Sequence, residues 1–213
     1  VHDLVNLDEL GRLVSFSEKA FDRLDLAVTF SASIGDESRA RVAAAIADGY
    51  TDALLMPPAV WQQEHAGTLV GAFATGEGWD TPYVEVGGLA PARRPDSSYV
   101  LLLRPDPRSD DDLRGLTAPA LRKALGEDAC LTVNEYVIVQ RLMVERFGDH
   151  RFDDYSAEPS GWMWLADSTD GERTAMGYWN GAKRRIEVVA CKTGSKNPRK
   201  GARRCRIVPL EGS

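Results

Sequence analysis

From Gly161 onward the pattern takes a period of two, in short apolar-rich runs. Four such runs, at residues 162–165, 174–179, 185–191 and 204–208, are separated by polar, turn-rich stretches at 167–171, 180–181 and 194–201. A period of two puts successive side chains on opposite faces of an extended chain, so this third of the molecule can bury one face only as strands. Asn180-Gly181 sits between two of the runs, and both central positions of a type I′ turn need positive φ, which these residues tolerate. The pattern predicts an antiparallel C-terminal meander.

Upstream, the period changes. Asp36 or Ser38 can cap a helix to about residue 48, rich in alanine and closed by Gly49. Residues 53–56 read as an apolar turn, and Pro57-Pro58 opens a short helix over 58–64. Residues 83–86 alternate as a strand, and 99–104 form the continuous apolar run of a strand buried on both faces. Thr117, with Pro119 just inside, starts a helix ending at Gly126. Thr132 and Glu135 have capping-box spacing and open the clearest helix, to Phe147. The sum is an α+β fold: a mixed sheet with helices packed on one face and the C-terminal meander. Residues 1–35 read as an N-terminal arm, with a short helix at 17–24 and a strand at 26–31. Residues 36–213 read as a single domain ending in a basic β-hairpin segment, 183–208.

The longest apolar stretches, 53–56 and 99–103, fall far below the roughly 18 to 20 residues of a membrane span. Residues 1–10 alternate acidic and apolar side chains, without the basic start and apolar run of a signal peptide. A cytoplasmic protein is expected. Cys130, Cys191 and Cys205 are widely spaced, with no CxxC and no histidines at ligand spacing, so free thiols are expected and no metal. A Cys191–Cys205 disulfide is conceivable if their strands pair, but a reducing compartment disfavours it.

The net charge of −6 conceals a division. From Lys183 onward ten basic residues face two acidic ones, giving +8, and the preceding 182 residues carry 16 basic and 30 acidic side chains, giving −14. Such asymmetry implies an anionic partner for the C-terminal segment or an internal match between that segment and the acidic body. The cluster Asp110, Asp111, Asp112 lacks the alternating ligands and glycine of a calcium loop and reads as a solvated turn.

Several short signals recur together: Gly49-Tyr50 followed by Ala53-Leu54-Leu55, Pro82-Tyr83-Val84 with Val86, the run from Tyr99 to Leu103, and Leu131-Thr132 with Glu135. Gly171-Glu172-Arg173 and Gly177-Tyr178-Trp179-Asn180-Gly181 follow. In this order, over residues 44–191, the chain resembles a family of uncharacterised bacterial, mainly actinobacterial, proteins known as a domain of unknown function. The resemblance implies a cytoplasmic bacterial protein with an α+β domain and supplies no catalytic residue. The N-terminal arm and the lysine- and arginine-rich end depart from the family.

No GxSxG, GxxxxGK[ST], HExxH or strand-linked GxGxxG is present. Glu85, within a predicted strand, is a candidate acid/base group if buried and a plain solvent-facing residue if not. Trp162, Trp164 and Trp179, with Tyr178, can line a pocket, form a flat platform or fill the sheet core, burial being the commoner use of large aromatics. The basic residues Lys196, Arg199, Lys200, Arg203 and Arg204, around Gly194, Pro198 and Gly201, suit phosphate recognition by a flexible hairpin tip. The expectation is a non-catalytic binding protein whose basic C-terminal hairpin contacts an anionic partner, an acidic protein or nucleic acid. The alternative is a cofactor-independent enzyme or carrier acting on a small molecule in a pocket lined by Trp162, Trp164 and Trp179. Neither reading calls for a cofactor, a metal or a membrane.

Overall fold

The apolar run Tyr99–Leu103 has no polar residue to offer water, and it becomes a strand buried at every position. The computed structural model in which it is seen describes residues 35–56, 78–85, 87, 89–93, 96–106, 109–126, 128–148, 161–169 and 171–210. The helices expected at 17–24 and 58–64 and the strand expected at 26–31 lie outside these residues. The chain divides into two compact units, one of residues 1–65, 94–105 and 205–213, the other of residues 66–93 and 106–204.

In the first unit, helix α1 (Asp36–Ala47) precedes strand β1 (Asp52–Met56). Residues 53–56, expected as an apolar turn, extend instead because β3 (Tyr99–Leu103) pairs with them antiparallel, from Asp52↔Leu103 to Met56↔Tyr99. On its other edge β3 pairs antiparallel with β9 (Arg204–Pro209). Leu55, Met56, Leu101, Leu102 and Leu103 form the core of this unit. Helix α1 starts at Gly35 without a side-chain cap; Asp36 and Glu37 instead lie in its first turn, where carboxylates favour the helix dipole. The Ser38 hydroxyl is drawn away to donate to the Pro209 carbonyl at 2.7 Å.

The second unit carries β2 (Tyr83–Glu85), α2 (Ala118–Leu125), the two-residue β4 (Ala129–Cys130), α3 (Val133–Phe147), β5 (Trp162–Thr169), β6 (Arg173–Asn180), β7 (Arg185–Lys192) and β8 (Lys200–Gly201). Its five-stranded sheet runs β2-β7-β6-β5-β8. The β5-β6-β7 meander is antiparallel, and the edge strands β2 and β8 are parallel to their neighbours, so the sheet is mixed and the fold α+β. The fourth expected run leaves the meander as β9 and pairs with β3. Residues 183–208 therefore divide among β7, a loop, β8 and β9 rather than forming one hairpin.

The β6–β7 turn differs from the expected two-residue form. Asn180 still pairs, with Arg185, and the loop is Gly181 to Arg184. The Asn180 side chain accepts from the Lys183 amide at 3.1 Å, its carbonyl accepts from the same amide, and Arg184 carries the positive φ of 46°. Asparagine's short side-chain acceptor closes a wider turn than the dipeptide alone suggests.

Helix α3 has the capping box its sequence spells: Thr132 Oγ1 accepts from the Glu135 amide and Glu135 Oε2 from the Thr132 amide. It presses Tyr136 onto the sheet at Gly177, where an added Cβ would lie 2.4 Å from the phenol ring. Helix α2 is capped by Thr117, with Pro119 in its first turn, and sends Leu121 and Leu125 into a cluster with Leu113, Trp164, Met176 and Ala202. Burying an aromatic such as Trp164 stabilises the unit by about 3 kcal/mol, and its indole N–H donates to the Leu116 carbonyl at 3.1 Å.

Candidate functional site

A guanidinium too large to stay in the core unpaired needs carboxylates, and Arg204 has them. It contacts Asp112 at 2.8 and 2.5 Å, with Asp110 at 3.7 Å and Asp128 at 3.6 Å. The Asp110–Asp112 stretch, read as a solvated turn, thus encloses a C-terminal arginine; only Asp112 of these three partners stays largely exposed, at 65%. Arg203 is buried as well. In the first unit Arg206 donates to Asp48 at 2.6 Å and stacks on Tyr50, whose ring also carries Arg104. Of the five basic residues expected to face a partner, Lys196 and Arg199 are exposed, and Lys200, Arg203 and Arg204 are turned inward.

Lys200 is 2% exposed. Its Nζ lies 4.7 Å from the Trp164 ring centroid and 5.2 Å from that of Trp162, and it donates to Ser195 Oγ at 2.6 Å. Burial depresses its pKa from the ordinary lysine value, with the neighbouring Cys191 thiol opposing.

The three tryptophans do not share a pocket. Trp162 and Trp164, two apart on β5, lie on one face; Trp179 alternates with Tyr178 on β6 and lies on the face of Gly177 and α3. There Trp179 is buried against Trp79, ring centroids 4.8 Å apart, and Arg141 stacks on Trp79. Trp164 is fully buried and Trp162 half-buried.

What the strands assemble instead is a row. The pairings Tyr83↔Glu187, Glu187↔Tyr178 and Trp162↔Lys200, with Met163 opposite Gly177, set Tyr83, Glu187, Tyr178, Trp162 and Lys200 side by side on one face across all five strands. At a strand spacing of about 4.8 Å the row spans roughly 19 Å. Trp162 and Tyr178 stack with centroids 5.9 Å apart, and Arg185 lies 5.2 Å above Tyr83, which is 40% exposed. Glu187 is enclosed by its neighbours: the Tyr178 hydroxyl, the Asn180 amide and Arg185 donate to it, and Lys183 lies 3.4 Å away. Burial pushes its pKa up, but these hydrogen bonds and cations outweigh it and hold the carboxyl below the usual range. Glu85 is solvent-exposed and accepts from the Tyr83 hydroxyl at 2.8 Å, which raises the phenol's pKa. It is not a buried acid. The signals of this row were the alternation of residues 83–85 and the Tyr178-Trp179 pair; its register depended on the edge pairings of β2 and β8.

A second polar cluster braces the start of α3. Arg93 donates to both oxygens of the buried Glu135 and to the Cys130 carbonyl, while Asp167 accepts from the Val133 amide at 2.5 Å and the Ala92 amide at 2.8 Å. These contacts fasten the loop before Arg93 to the helix.

An open groove of about 1080 Å³ lies at the other end of the hairpin, lined by residues 171–173 and 190–195. No tryptophan lines it. Among the described residues no group of His, Cys, Asp and Glu converges as metal ligands, and no helix is long and apolar enough to cross a membrane. All three cysteines are free thiols.

Compared with protein-family models, with curated proteins and with solved structures, the chain matches none.

Proposed function

We propose that this chain is a binding protein whose anionic partner is single-stranded nucleic acid, received on the Tyr83–Tyr178–Trp162 row of the mixed sheet. The observation that carries the reading is the row itself: aromatic rings in register across a sheet face, with Arg185 and Lys183 beside them. Unpaired bases stack on such rings whatever their sequence, and cations beside them meet the backbone phosphates. Glu187 does not repel a phosphate strongly, because Lys183 and Arg185 already face it. Lys196 and Arg199, exposed next to β8, extend the cationic edge. An acidic protein would use the cations but leave the rings unexplained. A cytoplasmic setting belongs to the same reading and is supported by three unpaired thiols. So does membership of the uncharacterised bacterial family the sequence resembles.

The test is fluorescence anisotropy with a labelled oligothymidylate, titrated at 50 and 200 mM salt. Binding is expected to weaken with salt, with a log–log slope of about −0.7 per phosphate contacted. Tyr83→Ala and Tyr178→Ala should each weaken it about 5- to 100-fold, and Lys196→Gln with Arg199→Gln should flatten the slope. No binding at 50 mM salt, or binding indifferent to both tyrosines, overturns the proposal.

A further inference from the structure

The loop between β7 and β8 brings together two groups that the binding reading does not use. Ser195 lines the open groove, half-exposed, in a turn whose amide donates to the Lys192 carbonyl. Behind it, Lys200 Nζ reaches Ser195 Oγ at 2.6 Å from a site closed by the faces of Trp162 and Trp164. Lysines are almost never fully buried without a carboxylate, yet Lys200 has no carboxylate partner among the described residues. A Cβ added at the adjoining Gly194 would meet nothing within 4 Å, so the chain next to the serine faces open space. The Gly194 amide, next to the serine, makes no hydrogen bond among the described residues and remains available as a donor.

We infer that Ser195 and Lys200 form a serine–lysine dyad, with Ser195 the nucleophile and Lys200 its general base, acting on acyl esters that enter the groove. In the first step the Ser195 hydroxyl passes its proton to the neutral Nζ as Oγ bonds to the acyl carbon. The ester C–O bond then breaks, and the Lys200 ammonium returns the proton to the departing alkoxide, releasing an alcohol. Water attacks the acyl-serine and gives a proton to Nζ; the serine oxygen leaves the acyl carbon and takes that proton back. The balance is ester plus water to acid plus alcohol, with no oxidant or reductant. Lys200 can serve as base because its amine lies against the serine hydroxyl, and burial, with no carboxylate partner among the described residues, lowers its pKa from the ordinary lysine value. Arg173 and the exposed Lys192 on the groove wall favour esters that carry an anionic group.

The probe is a biotinylated alkyl fluorophosphonate, which traps an activated serine by forming an Oγ–P bond and releasing fluoride and a proton. The intact chain is expected to carry one adduct, on the peptide containing Ser195, and Ser195→Ala none. The labelling rate should rise with pH through a midpoint below the ordinary lysine value of 10.5. Lys200→Arg keeps the charge and the stacking on both indoles but cannot accept a proton near pH 8, and should label at least ~100-fold more slowly while retaining the native circular dichroism. No adduct at Ser195 in the folded protein, or a Lys200→Arg rate equal to wild type, overturns the assignment. The pH profile of the unmutated chain decides the lysine's part even if the arginine variant does not fold: a midpoint at or above 10.5 counts against it.

Discussion

The Arg204 guanidinium grips the Asp112 carboxylate with both terminal nitrogens, at 2.8 and 2.5 Å. The backbone amide of Arg204 also donates to Asp110 at 2.7 Å, so the side chain and main chain of one residue hold the same acidic turn. Asp110 and Asp128 are 11% and 14% exposed, and the arginine is a cation that both of them face. Replacing it by methionine keeps the packing of the stem and leaves those carboxylates without that cation. Arg204→Met should lower stability by about 2–4 kcal/mol, as for one partner removed from a largely buried pair. Arg199→Gln, on the exposed loop, should stay within about 0.5 kcal/mol. Urea unfolding of both variants separates a structural arginine from a surface one; equal midpoints would place Arg204 with the surface residues.

This pairing is why the charge asymmetry could be read from the sequence and its destination could not. The sum of +8 against −14 is a property of composition, and an internal match is one of its two outcomes. Which basic residues turn inward depends on β9 leaving the meander for β3 and on β8, which carries Lys200, joining β5, both long-range pairings. Local chemistry was legible where it is self-contained: the Thr132–Glu135 capping box, the Thr117 cap and the alternating runs of β5 to β7 appear where expected. Residues 53–56 read as a turn and form a strand because a strand of five needs a partner to declare it, and β3 lies more than forty residues away. The Tyr83–Glu187–Tyr178–Trp162 row was invisible for the same reason: its members come from four strands, and a shift of one residue in any would send its side chain to the other face.

The close approach of α3 to the sheet rests on Gly177. A Cβ there would meet three ring atoms of Tyr136 at 2.4, 2.7 and 2.8 Å, and the ring is fully buried. Overpacking of this kind costs about 1–3 kcal/mol. Gly177→Ala should destabilise by that amount, and Tyr136→Leu, which removes the ring atoms, should make the same alanine nearly harmless. A double-mutant cycle by thermal or urea unfolding reads the coupling; additive effects would mean the helix simply shifts away.

The three thiols should react in an order set by burial. Cys130 and Cys205 are buried, and burial pushes the Cys130 thiol up to about 12, with the nearby Arg93 and Arg122 charges opposing. Cys191 is half-exposed on the groove wall. In native buffer at pH 8, a chromogenic disulfide reagent should titrate one thiol per chain quickly and the other two only after denaturation, because the thiolate is the reacting species. Cys191→Ser should abolish the fast phase. Two or three fast thiols in the wild type would show that the buried cysteines are reached by local opening.

Asp167 sets a pH dependence with a defined sign. Burial raises its pKa above the ordinary 3.8, and the amides of Val133 and Ala92, which favour the carboxylate, only partly offset this. The folded chain therefore keeps a proton over a window that begins near 3.8 and runs upward, where the unfolded chain has already released it. Stability falls as pH rises through that window, because the native state binds more protons there than the unfolded state. Asp167→Asn cannot titrate and keeps one of the two acceptors, leaving one buried amide without its carboxylate oxygen, a loss of about 1–3 kcal/mol. The stability gap between wild type and this variant should be widest near pH 4 and should narrow toward pH 7, all other groups being common to both. Urea unfolding at pH 4, 5, 6 and 7 measures it. A gap that widens with pH would mean that the two amides dominate over burial and hold the carboxyl low instead.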